Sequence, residues 1–197
     1  MAQPENRNVF PTSAGILLGL GLGGFFDGIV LHQILEWHHM ATSAGYPADS
    51  VGNLELNTLL DGLFHAATWL FTLAGLFILW RRARHSHVDW NAKCLCGSFL
   101  IGFGLFNLVE GIIDHQILGL HHVNETVPRD QWIYWDTGFL VWGALMLIGG
   151  WWMLKRESAC WHRGAAATGR PGPRRIATGL NKKPGIAPGL RYFCASA

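Results

Sequence analysis

Four long apolar segments leave this chain little choice of architecture. They run roughly over Ala14–Trp37, Leu56–Trp80, Cys94–Leu120 and Trp132–Leu154, and each approaches or exceeds the ~20 mostly apolar residues that a helix needs to cross a bilayer. Inside lipid every backbone N–H and C=O must be paired within the segment, which a helix achieves. The 197 residues are only 14% charged, against about 25% in a typical soluble domain. The predicted fold class is therefore all-α, an integral membrane four-helix bundle.

The segments are not uniformly apolar. Asp27 and His32 interrupt the first, Asp61 and His65 the second, Glu110, Asp114 and His115 the third, and Asp136 the fourth. Ionisable residues at membrane depth are expensive and mark function. Asp27 and His32 of the first also recur in the third, as Glu110 and His115. Asp27-Gly-Ile-Val-Leu-His32-Gln-Ile-Leu-Glu-Trp-His38-His39 recurs 83 residues later as Glu110-Gly-Ile-Ile-Asp-His115-Gln-Ile-Leu-Gly-Leu-His121-His122. Over Ala14–Met40 against Gly97–Val123, 12 of 27 positions are identical without a gap. Gly19 and Gly21 match Gly102 and Gly104, small residues that permit close helix contact. The second and fourth segments match more weakly, Asp61 with Asp136, and His65 has Leu140 as its counterpart. The expected unit is a helix pair, about 14–80 and 94–154, repeated in parallel about an axis along the membrane normal.

Charge sets an orientation. The loop after the second segment carries Arg81, Arg82, Arg84 and Lys93, and the fourth ends at Lys155-Arg156, while the loop 40–55 has no Lys or Arg. By the positive-inside rule both termini are cytoplasmic and both His-His pairs face outward. The chain reads as a multi-pass protein of a bacterial inner (plasma) membrane. A cytoplasmic segment 1–13 precedes the membrane domain 14–156, and a basic, disordered cytoplasmic tail 157–197 follows it. The tail holds a balance of +6 against −4 for the rest. Without aromatic interleaving or a nucleic-acid motif, it suits lipid headgroups, not nucleic acid. No nucleophile elbow and no phosphate-binding glycine loop is present.

Depth decides which polar residues meet. For straight helices rising ~1.5 Å per residue and ending at His38 and His121, His32 and His115 lie about 9 Å below the outer end. Asp61 lies about 7–8 Å, Asp136 about 6 Å and His65 about 13 Å below it. These five form one layer, a candidate metal site. Asp27 and Glu110 lie about 16 Å down, and Asp27 and His32 differ by about 140° around a straight helix. They are candidates for further ligands, for proton handling or for a catalytic general base. His38, His39, His121 and His122 sit at the outer mouth, and His39 joins His32 only if the helix breaks. Asp61 and His65, four apart, share a face.

Mixed imidazole and carboxylate donors suit Zn, Fe or Cu(II). The rival uses of the same residues are a structural polar network, a proton relay, or a b-type haem with His32 and His115 as axial ligands, against which the crowded carboxylates argue. A metal-dependent membrane enzyme of hydrolase or oxidase type is the alternative to metal binding or handling.

The duplicated [DE]GxxxHQILxxHH pattern resembles a family of predicted bacterial four-helix membrane proteins filed as a domain of unknown function, over about residues 10–156. That resemblance implies a connection to respiratory oxidase assembly proteins, and with it copper or haem. The histidine content is also similar to that of membrane desaturases and hydroxylases, but those use shorter spacings on the cytoplasmic side.

Overall fold

The computed structural model describes residues 10–85, 88 and 90–167, with side chains to position 156. It is all-helical. Helix α1 (Thr12–Phe26) passes without interruption into a π-helical segment, Asp27–Ile34. Helix α2 covers Val51–His85 and α3 covers Ala92–Glu110, which again passes into a π-helical segment, Gly111–Ile117. A 3₁₀ turn at Arg129–Gln131 leads into α4 (Trp132–Ala167). Four helical stretches are long and apolar enough to span a membrane: Thr12–Ile34, Val51–His85, Ala92–Ile117 and Arg129–Arg156. They coincide with the four apolar segments, and α4 continues past position 157, where the sequence suggests a tail. The rest of that tail and residues 1–9 lie outside the described residues.

The helices pack as an open row. α1 touches α2 and α3, and α3 touches α4, while no contact joins α2 to α4 among the described residues. In their most apolar stretches the first and third spans are 50% and 39% buried, the second and fourth only 11% each. α1 and α3 therefore form the inner pair, and α2 and α4 flank it. The flanking helices turn Leu59, Leu63, Trp69, Trp142, Leu145 and Ile148 outward, the apolar surface that acyl chains cover.

Glycine sets the spacing of the inner pair. A Cβ on Gly19 would meet the Phe99 carbonyl oxygen and one on Gly102 the Ile16 carbonyl oxygen, so each backbone rests on the other. Gly21 abuts the backbone of α2 at Thr68 and Thr72, and Gly104 that of α4 at Gly143 and Leu147. Positions 83 apart thus make corresponding contacts, as small residues do where membrane helices approach closely.

Both inner helices end alike. The Leu35 N–H bonds the Val30 carbonyl at 2.9 Å, and the Leu118 N–H bonds the Ile113 carbonyl at 2.8 Å. Trp37 then reaches back to Leu31 at 2.9 Å and Leu120 to Asp114 at 2.8 Å. The reversal needs one left-handed residue in each copy, Glu36 at φ 49° and Gly119 at φ 57°. Glycine takes that conformation without strain, whereas a glutamate does so at some cost. The straight helices to His38 and His121 expected from sequence are therefore corrected: the chain turns at 35–36 and 118–119. The π geometry is the physical reason, since its wide turn ends in i→i+5 bonds. From each reversal a loop folds over the end of the inner pair, and the two loops join where Ser43 and Ala44 donate to the Leu120 carbonyl at 3.0 and 3.2 Å.

Candidate metal centre

The π segments do more than end the helices. Widening the turn brings residues five apart onto one face, and His32 Nε2 stands 3.0 Å from Asp27 Oδ2. The 140° separation expected of a straight α-helix is thus removed. The second copy uses the reversal as well, placing His121 Nε2 3.5 Å from Glu110 Oε1. Asp27 and Glu110, expected deeper than the histidine layer, are part of it.

Asp61 and Asp136 support the cluster from the flanking helices. Asp61 accepts from His32 Nδ1 at 2.9 Å, from His39 Nδ1 at 2.8 Å and from the Met40 N–H at 3.0 Å. Asp136 accepts from His122 Nδ1 at 2.6 Å and from the Val123 N–H at 3.0 Å, and lies 3.7 Å from His115 Nδ1. The helix break that His39 needs in order to join His32 is thus present.

His38 and His121 occupy the centre. His38 Nδ1 bonds the Val123 carbonyl at 2.9 Å and His121 Nδ1 bonds the Met40 carbonyl at 3.2 Å. A carbonyl only accepts, so both Nδ1 atoms carry a proton, which in the neutral ring leaves Nε2 a bare lone pair. The two rings stack, 4.5 Å between centroids and 4° from parallel. Burial, reinforced by the neighbouring imidazoles, holds His38 well below the usual histidine pKa and pushes His121 down to about 3. They are neutral, the form that ligates a metal.

The inner atoms lack ordinary partners. Asp27 Oδ2, Glu110 Oε2 and the Nε2 atoms of His32, His38, His115 and His121 are buried without a hydrogen bond. His32 Nε2 and Asp27 Oδ2 are close but not aligned for one. Orphaned buried polar atoms are rare because each forfeits its hydration. Four groups have ligand atoms within 4.8 Å of one another: His32, His38 and His121; His32, His39 and Asp61; Glu110, His115 and His121; and Asp27, His32 and Glu110. Such groups can hold a metal ion.

His65 stands apart. It joins none of these groups; its ring stacks on Phe25 and lies edge-on to Phe64, with Nε2 turned to the space beside Gly28. The Asp61 oxygens, on the face that the i,i+4 spacing shares with it, are taken by His32, His39 and Met40. Two residues with no ligand role escaped the sequence reading. Asn57 is fully buried, accepting from the Ala41 N–H at 2.8 Å and donating to the Tyr46 carbonyl at 2.8 Å. Glu125 accepts from Ser43 at 2.5 Å and from the His122 N–H at 3.0 Å. Both pin the loops over the cluster, Asn57 from the first turns of α2 and Glu125 from within a loop, and a lone polar residue at either place carries no signal of that task.

Four helices of membrane-spanning length around a buried histidine–carboxylate cluster define the class: an all-α membrane protein with a candidate metal centre. The chain belongs to DUF2243, a family described as predicted membrane protein, whose match covers residues 14–157. The family expected from the motif is thereby borne out. No curated protein and no solved structure matches the chain.

The orienting carboxylates yield a prediction. Asp61→Asn keeps the volume but removes the charge from the acceptor of two imidazole N–H groups. Loss of such a partner typically costs 10–100-fold in metal affinity. Competition against a chelator is expected to show a loss in that range with unchanged helix content by circular dichroism. Wild-type affinity would remove Asp61 from the account.

Proposed function

We propose that this protein binds a transition metal in the buried cluster, with His32, His115, His38, His121, Asp27 and Glu110 as ligands. Asp61 and Asp136 orient the imidazoles, and His39 and His122 close the outer side. The observation that carries the reading is the convergence of bare Nε2 and carboxylate atoms with no hydrogen bonds of their own. Their spacing fits: two ligands each ~2.0–2.1 Å from one ion lie about 2.9–3.4 Å apart, and the Asp27–His32 and Glu110–His121 pairs are 3.0 and 3.5 Å apart. The His32 and His121 Nδ1 atoms, bonded to Asp61 and to the Met40 carbonyl, have the outer partners that ligating histidines use. A bound ion supplies positive charge among the acids and, according to its identity, Lewis acidity or redox chemistry.

Imidazole and carboxylate, with no thioether or thiolate among the described candidate ligands, favour Zn, Fe or Cu(II) over Cu(I). Metal handling in respiratory assembly is the setting that the motif's resemblance implies. The corresponding contacts of residues 83 apart support a pseudo-two-fold centre between two helix pairs. The basic loop at Arg81–Arg84 supports an outward-facing His end. Haem is disfavoured, because His38 lies 4.2 Å and His121 5.5 Å from His32 between ring centroids, and His121 also lies 4.9 Å from His115. A flat macrocycle between His32 and His115 would have to displace both.

One observation favours a second reading. His32 lies between Asp27 and Asp61, at 3.0 and 2.9 Å, where an imidazolium would satisfy both acids and the cluster would carry protons instead of metal. Elemental analysis with an optical spectrum, on detergent-purified protein shown to be folded, separates the readings. The metal reading predicts stoichiometric metal without a Soret band. Folded protein that neither retains nor takes up metal supports the proton reading, and a Soret band converts the site to haem.

A further inference from the structure

We infer that the centre holds two metal ions bridged by the Glu110 carboxylate, an inference that rests on the metal-binding reading above. The ligand atoms do not gather into one cage. They form overlapping groups of three, each within 4.8 Å, and Glu110 belongs to two of them, one with Asp27 and His32, the other with His115 and His121. A carboxylate has two oxygens, so one side chain can serve both groups. Oε1 stands 3.5 Å from His121 Nε2, and Oε2 is buried without a hydrogen bond.

Six inner residues exceed what one ion needs. Zn takes about four ligands, so a single ion on His32, His38 and His121 would leave Asp27, Glu110 and His115 buried with bare lone pairs facing one another. Burial of ionised carboxylates without partners is strongly unfavourable. Two ions use every group. One is held by Asp27 and His32, the other by His115 and His121, with Glu110 spanning both, and His38 stands between them in a group with His32 and His121. The membership follows the 83-residue offset, Asp27 with Glu110, His32 with His115 and His38 with His121. Each copy of the motif thereby supplies one carboxylate and two imidazoles. Carboxylate-bridged pairs of this kind, about 3.5–4 Å apart, recur where oxygen or water is activated, and helix bundles build them from inward-facing acids and histidines.

The test is a titration of metal-stripped, full-length protein in detergent with Co(II), followed optically and by equilibrium dialysis. Two equivalents per chain are expected. His115→Ala should saturate at one equivalent. Glu110→Gln, which keeps the side-chain volume, should retain one site and weaken the other at least tenfold. Saturation of the wild type at one equivalent overturns the bridged pair and leaves the metal-binding reading standing. No Co(II) uptake by folded protein overturns both. Retention of two wild-type-affinity sites in Glu110→Gln overturns the bridge.

Discussion

The protein with alanine at both His32 and His115 is expected to bind no stoichiometric metal. Each imidazole is fully or nearly fully buried, and each belongs to a ligand group that alanine reduces to two members. Removing an outer partner of a metal ligand typically costs 10–100-fold in affinity, and removing the ligand itself should exceed that. Each single variant is expected to lose more than about 100-fold at the site its histidine ligates, above the range for such outer partners. His85→Ala, at the opposite end of α2, should bind as the wild type does. Isothermal titration beside circular dichroism makes the comparison. Equal metal content in the His32, His115 and His85 variants would show that the cluster is not the site.

Gly102→Leu should have the largest effect on stability. A Cβ at this position would run into the Ile16 carbonyl oxygen, and one at Gly19 into the Phe99 carbonyl oxygen. Overpacking ordinarily costs about 1–3 kcal/mol because neighbouring side chains give way. Here the neighbour is backbone, so relief requires α1 and α3 to part, and the cost should reach or pass the upper end of that range. α1 leads into Asp27 and His32 while α3 leads into Glu110 and His115, so metal affinity should fall with thermal stability. Gly149 has open space where its Cβ would stand, and Gly149→Leu should change neither. A Gly102→Leu protein that melts with the Gly149→Leu control would contradict the glycine contact.

The spans were legible because apolar length alone determines them. The pairing of His32 with Asp61 was legible because depth along straight helices is a sound guide until a helix ends. It fails at that point. Nothing in Asp27–Ile34 announces a π turn, so the 3.0 Å approach of Asp27 to His32 was hidden behind an α-helical projection. The reversal after each motif was not read from the sequence: Gly119 suits the left-handed conformation, but Glu36, at φ 49°, carries no such signal. With the reversal unseen, His38 and His121 read as mouth residues although they stack in the centre. His65 shows the opposite error, a valid i,i+4 spacing from Asp61 that lost its partner to a loop folded back from another element.

The most direct measurement is X-ray absorption at the edge of the metal that the proposed centre is expected to retain through purification. Nitrogen and oxygen neighbours, at about 2.0–2.1 Å if the metal is zinc, are expected, with the outer-shell pattern of several imidazoles. That pattern should diminish in the His32/His115 double variant. A first shell of sulfur, near ~2.3 Å for zinc, or a spectrum without imidazole scattering, would place the metal elsewhere and contradict a histidine–carboxylate centre.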